Sequence, residues 1–224
     1  MTLPVGPNVP DRPCGPPERE PLAGRFIRLE PLDQARHAEG LFAISHGTPE
    51  GEAIWRYLAY GPFASPATMQ DWLAEQAAKS DPLFFAVIDM PTDRPLGMVS
   101  FLNIVPDQRR LELGHIWYGP EAQRTKANTE AVYLMTVEAI DRLGYRRVEW
   151  KCDALNARSR AAALRLGFLY EGIFRQHMIV KGRNRDSAWF SLLDSEWPVR
   201  RANMERWLYG GETGLSLGKL NQMS

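Results

Sequence analysis

Between Arg109 and Asp153 the hydrophobic pattern changes period twice, and this stretch constrains the fold more than any other. Arg109 to Tyr118 alternates and is rich in large apolar residues, which reads as a strand. Gly119-Pro120 breaks it, and a polar turn from Gln123 to Thr129 opens a helix. That helix keeps Ala131, Leu134, Met135, Val137, Ile140 and Leu143 at helical spacing, and Gly144 stops it. Arg147 to Asp153 alternates again as a second strand. A strand that feeds a helix N-terminus through a polar turn is suited to holding phosphate. The free N–H groups and partial positive charge of the first helical turn point at the same place. Arg124 and Lys126 add cations there, with no acid between Gln123 and Thr129. The plainer alternative is a solvated loop capped by Thr125 or Asn128.

The elements around this unit extend it. Asn156 caps a short Ala-rich helix that ends at Leu166-Gly167-Phe168. Tyr170 to Val180 and Ser187 to Leu193 are extended and joined by a turn-rich connection over Lys181–Asp186. Upstream, Gly24 to Leu32 is a strand, and Asp33 caps a helix over Gln34–Ser45. Pro49–Tyr60 and Pro66–Lys79 read as helices with proline near their starts. Leu83–Asp89 and Leu96–Ile104 are strands, and Glu196–Tyr209 is a C-terminal helix before a frayed tail. The order gives an α/β (α+β) chain with parallel and antiparallel parts, and neither a repeat nor a second domain is visible.

Prolines at 4, 7, 10, 13 and 16 give the first 21 residues a three-residue period that suits polyproline II. This arm docks on a partner, docks on its own domain, or stays a floppy leader, the plainest expectation. Acidic and basic residues balance at 27 each, which argues against a dedicated nucleic-acid or membrane-surface protein. No apolar run approaches the roughly 20 residues of a membrane span. Cys14 and Cys152 are poorly placed to bridge, and the N-terminus lacks the apolar core of a signal peptide, so a cytoplasmic location is expected.

Gln123-x-x-x-x-x-Thr129-Glu130-Ala131 after a strand, Asn156-x-x-Ser159 ahead of Leu166-Gly167-Phe168, and the pair Glu171-Gly172 together resemble the GNAT superfamily. These are acyl-CoA-dependent N-acyltransferases, and the chain looks most similar to their RimJ/RimL branch over residues 22 to 197. Residues 1–21 would then be an arm and 198–224 a C-terminal helix and tail. The resemblance implies a single domain with a mixed, mostly antiparallel sheet, splayed central strands and flanking helices. It implies acetyl-CoA as co-substrate, no metal, and an amine acceptor, either a peptide N-terminus or a small molecule. A homodimer stays open, and a non-catalytic acyl-CoA sensor on the same fold is the alternative.

The family pattern has glycines in the phosphate turn, where this chain has Arg124 and Lys126. Glycine is required only if the turn needs positive φ or close backbone approach. With helical backbone angles, Arg and Lys would keep the anion site through their side chains. The resemblance places the pantetheine arm on Ile116, Trp117 and Tyr118, and the phosphates on Gln123, Arg124, Thr125, Lys126, Ala127, Asn128 and Thr129. Asn156 is expected to hold the arm and Ser159 to protonate the leaving thiolate. The usual family tyrosine is absent, with Ala163 near its place. Attack in a ternary complex needs no cysteine nucleophile, so Cys152 reads as core.

Glu112 is the preferred base, with His115 on the opposite face by alternation and His177 a third candidate. The acceptor side is expected to use Tyr60, Phe63, His115 and His177, with Trp55 and Leu58 in the core.

Overall fold

The computed structural model describes residues 3–222. From the N-terminus run β1 (Leu22–Ala23), β2 (Ile27–Pro31), α1 (Gln34–Ser45), α2 (Pro49–Glu52) and α3 (Pro66–Ala77). They are followed by β3 (Leu83–Asp89), β4 (Pro95–Val105), β5 (Arg110–Tyr118) and α4 (Lys126–Thr136). The rest is β6 (Arg147–Asp153), α5 (Ala157–Arg165), β7 (Leu169–Val180), β8 (Arg183–Leu193), α6 (Trp197–Tyr209) and α7 (Leu217–Gln222). The strands form one sheet in the order β1-β2-β3-β4-β5-β6-β8-β7. Among the described residues only the β5–β6 pair is parallel, with α4 carrying the chain back along the sheet between the two strands.

Both sheet faces are covered, which is why β3 is apolar along nearly its whole length. On one face Phe85, Val99, Leu113 and Val148 meet Ala131 and Met135 of α4 and Met204 of α6. On the other, Phe84, Met98 and Trp117 meet Leu41 of α1, Leu73 of α3 and Trp55. Asp33 caps α1 by accepting from the backbone N–H of Ala35 and Arg36.

Four local expectations change. Pro49–Tyr60 is not one helix but α2 followed by a 3₁₀ segment over Ala53–Tyr57. The Trp55 indole donates to the Ser45 carbonyl at 3.0 Å, and seating that ring in the core tightens the turn. The β7–β8 connection is only Lys181-Gly182, both at positive φ, so Arg183 to Asp186 belong to β8. The tail is not frayed at its described end: α7 buries Leu217, and Asn221 donates to the Arg165 carbonyl at 2.9 Å. The arm's leading residues Leu3 and Val5 are exposed, yet it docks on its own domain further along. Pro17 is buried, Cys14 packs against the first core, and Glu18 lies 3.7 Å from Arg142. Among the described residues no helix is long and apolar enough to cross a membrane.

Candidate active site

β5 and β6 pair only from Arg110 with Arg147 to Glu112 with Glu149. Beyond that point β5 follows β4 and β6 follows β8, so a wedge opens between them. The backbone of Gly114 to Tyr118 borders the wedge without a strand partner on that side. The splay coincides with a bulge at His115, whose φ is +51°. The register steps there from Ser100 opposite Gly114 to Met98 opposite Trp117, so two residues of β5 face Val99.

The bulge corrects the alternation expected for β5. A bulge adds one residue and resets which side each later residue takes. Trp117 therefore joins the second core, whereas Ile116 and Tyr118 pack with the first. His115 lies against Phe84 and Tyr60 of the second core, with ring centroids 4.8 and 5.5 Å away. Glu112 and His115 share a face rather than opposing each other: Glu112 alternates with Leu111 and Leu113 of the first core, and His115 packs on Phe84 of the second.

At the turn, Gln123 Nε2 donates to the Tyr118 carbonyl at 3.1 Å and closes the end of β5. Arg124 adopts φ +64°, the left-handed conformation that glycine favours, and not the helical angles expected. Its side chain is exposed. Thr125 is the N-cap of α4: its Oγ1 accepts from Ala127 N at 3.3 Å and donates to the Ala122 carbonyl at 2.7 Å. The Lys126 side chain turns away from the turn. Its Nζ donates to the Leu208 carbonyl at 2.5 Å and lies 4.5 Å over the Phe26 ring. Ala127 is buried, Thr129 Oγ1 accepts from Arg165 at 2.9 Å, and Asn128 Oδ1 is buried without a hydrogen-bond partner among the described residues.

Across the wedge, Asn156 Oδ1 accepts from Ser159 N at 3.1 Å and caps α5. Ser159 Oγ accepts from the Trp150 indole at 3.0 Å. Cys152 is buried on the same strand as Trp150, and burial pushes its thiol up. Ala163 is fully buried.

The residues expected on the acceptor side come from parts of the chain far apart in sequence. Tyr60 stacks on Trp72 at 4.1 Å, and Phe63 meets Trp55 edge-on at 5.4 Å, so both are half-buried parts of the second core beside His115. His177 Nδ1 is 2.9 Å from Ser187 Oγ, and its ring is 5.8 Å from Trp189. Lys151 Nζ lies 5.3 Å over Trp189 and donates to Glu112 at 2.9 Å; Asn103 Nδ2 also donates to Glu112, at 2.7 Å. Burial, then the charges of Lys151 and Arg185, push the His115 imidazole down to about 4, and the same causes lower His177. Burial pushes the Glu112 carboxyl up, and Lys151 opposes it. Sequence reasoning missed Lys151, Arg185 and Trp189. Alternation along β6 and β8 was the available signal, but only the Lys151–Trp189 register brings them together.

The sequence matches the acetyltransferase (GNAT) domain over residues 27–169. A GCN5-related N-acetyltransferase from Brucella melitensis is 42% identical, with a TM-score of 0.89 over 94% of this chain and 97% of that one. The provisionally named ribosomal N-acetyltransferase YdaF of Bacillus subtilis is 29% identical over 75% of this chain and 90% of its own length. The fold also matches the microcin C7 self-immunity acetyltransferase MccE, solved with acetyl-CoA and AMP, at 22% identity and a TM-score of 0.67. That match covers 76% of this chain and 93% of MccE. With a splayed, bulged sheet and a helix N-terminus at its mouth, this chain belongs to the GNAT family and is an acetyl-CoA-dependent acetyltransferase.

Proposed function

We propose that the protein acetylates a primary amine, a protein N-terminus or a small molecule, by direct attack in a ternary complex. The observation that carries this reading is the wedge. Its unpartnered β5 backbone can pair with an extended pantetheine arm as a further strand would. The mouth also fits the phosphates: the free N–H groups of the α4 N-terminus and the exposed Arg124 lie there. Acetyl-CoA supplies the activated thioester.

The chain's own residues handle the protons. Ser159 accepts from Trp150 and lies beside the Cys152 thiol, and its O–H turns from that sulfur to donate to the departing one. His115 makes no side-chain hydrogen bond among the described residues, and its lowered affinity for a proton keeps it neutral at pH 7. Glu112 is already held by two donors. We therefore assign His115 as the base and Glu112 as the group that fixes Lys151. Tyr60 and Phe63 wall the acceptor side, with His177 at its far edge. The two unbridged cysteines suit a reducing cytoplasm.

Calorimetry with acetyl-CoA, followed by thiol release over an amine panel, tests the reading. Ser159→Ala is expected to lower kcat by about tenfold or more while donor affinity holds. No binding at millimolar donor overturns the reading. Binding without thiol release from any amine leaves a sensor instead.

A further inference from the structure

Arg185 stands unneutralised beside the acceptor face. It lies on β8 opposite Met178 of β7, and alternation places it on the same sheet face as Ser187 and Trp189. Its Nε is buried without a hydrogen-bond partner, and among the described residues its guanidinium makes no hydrogen bond or ion pair. Three other half-buried arginines are engaged. Arg147 grips Glu171 through two contacts of 2.7 and 2.6 Å, Arg165 donates to Thr129 at 2.9 Å, and Arg200 donates to the Asn221 carbonyl at 2.8 Å.

The acids nearby are occupied too. Glu112 is taken by Lys151 and Asn103. Asp186, on the next residue of β8, accepts from Gln176 N at 2.8 Å and Asn184 Nδ2 at 2.9 Å. The charge of Arg185 is felt at both His115 and His177. An open cavity of about 660 Å³ is lined by Phe174, Arg175, Gln176 and His177 at the β7 bulge, just before Met178, the residue opposite Arg185. A buried donor without a partner is rare in a folded protein, and a guanidinium presents a planar fork that fits a carboxylate or phosphate.

We propose that Arg185 binds an anionic oxygen group, carboxylate or phosphate, that the acceptor carries close to its amine. Arg185 is then a specificity-determining residue, and the acceptor narrows from any primary amine to an acidic one. This rests on the acetyltransfer reading above.

The test is thiol release by the full chain with matched amines. One pair is a tripeptide amide beginning with glutamate against the same peptide beginning with glutamine. The other is phosphoethanolamine against ethanolamine. The wild type is expected to favour the anionic member of one pair in kcat/KM by about tenfold or more, and the pair that responds distinguishes carboxylate from phosphate. Arg185→Gln should abolish that preference, read as the ratio within the pair, while acetyl-CoA affinity holds. Arg185→Lys should restore part of it.

Equal kcat/KM within both pairs, or a preference that survives Arg185→Gln, overturns the assignment. So does a lowered Tm with an unchanged ratio, which would mark Arg185 as structural. If no amine turns over, binding of the same pairs is followed by tryptophan fluorescence with coenzyme A present. An anion preference lost in Arg185→Gln then upholds the site although acetyltransfer fails. No preference overturns the site as well.

Discussion

The Glu112 carboxylate accepts from Lys151 Nζ at 2.9 Å, just past the point where β5 and β6 stop pairing. The contact holds two diverging strands at the apex of the wedge, and Glu112 is only 2% exposed there. Removing one partner of such a pair leaves a buried charge alone, which costs about 3 kcal/mol. Lys151→Met should therefore lower stability by about that much at pH 8. Losing the ammonium raises the folded carboxyl further above its unfolded value. The protonated form then supports the fold at low pH, and that support is lost as pH rises through the folded pKa. The deficit should shrink at pH 5. Urea midpoints at the two pH values check this, and an equal deficit at both would mean that Lys151 acts by packing alone.

Arg124 and Lys126 should separate cleanly as phosphate ligands. Arg124 is exposed at the turn and carries φ +64°, while the Lys126 ammonium rests on the Leu208 carbonyl. Arg124→Gly removes a cation but relieves a left-handed conformation costing about 1 kcal/mol. It should weaken acetyl-CoA binding by about three- to tenfold, with a flatter salt dependence, and leave Tm unchanged or higher. Lys126→Met should lower Tm and change donor affinity by less than about twofold, since it loosens α6 instead. Calorimetry at two ionic strengths reads both, and a larger affinity loss in Lys126→Met would refute the distinction.

Glu130 ties the first strands to α4. Its fully buried carboxylate accepts from Arg25 N, Phe26 N and Ile27 N at 2.7 to 2.8 Å, and from the Tyr209 hydroxyl at 2.8 Å. Glu130→Gln turns an amide N–H₂ toward backbone donors, and should cost about 2 to 3 kcal/mol. Tyr209→Phe removes one donor of four and should cost about 1 kcal/mol. Thermal melts of both variants give the comparison. The reverse order would mean that packing of the Tyr209 ring outweighs the carboxylate.

His115 should make stability fall in mild acid. Its imidazole is pushed down from 6.5 to about 4, so the unfolded chain takes up its proton first as pH drops. Stability is fully present above the unfolded pKa and is lost as pH falls through the folded one. The loss between pH 7 and 4 amounts to roughly 3 kcal/mol at most. His115→Gln should flatten that slope and also slow acetyl transfer. An unchanged slope in the variant would place the acid sensitivity elsewhere.

Hydrophobic period made the main elements readable, because burial on one face or on both writes itself into the order of residues. Gln34–Ser45, Leu83–Asp89 and Arg147–Asp153 are bounded in the structure as their periodicity and caps predict. The strand, turn and helix around Gln123, with Asn156 and Ser159 beyond, marked the family before any contact was visible. Periodicity cannot reveal an inserted residue, so the bulge at His115 was hidden, and with it the shared face of His115 and Glu112. Nor can it say where a long side chain ends: Lys126 looked like an anion ligand until α6 folded beside it. The sequence by itself determined the order of the main elements, the α1 cap at Asp33 and the kind of chemistry. Only the tertiary structure decided the wedge, the pairing of Glu112 with Lys151 and the isolation of Arg185. Those depend on strand register and burial between residues far apart in the chain, which no local pattern encodes.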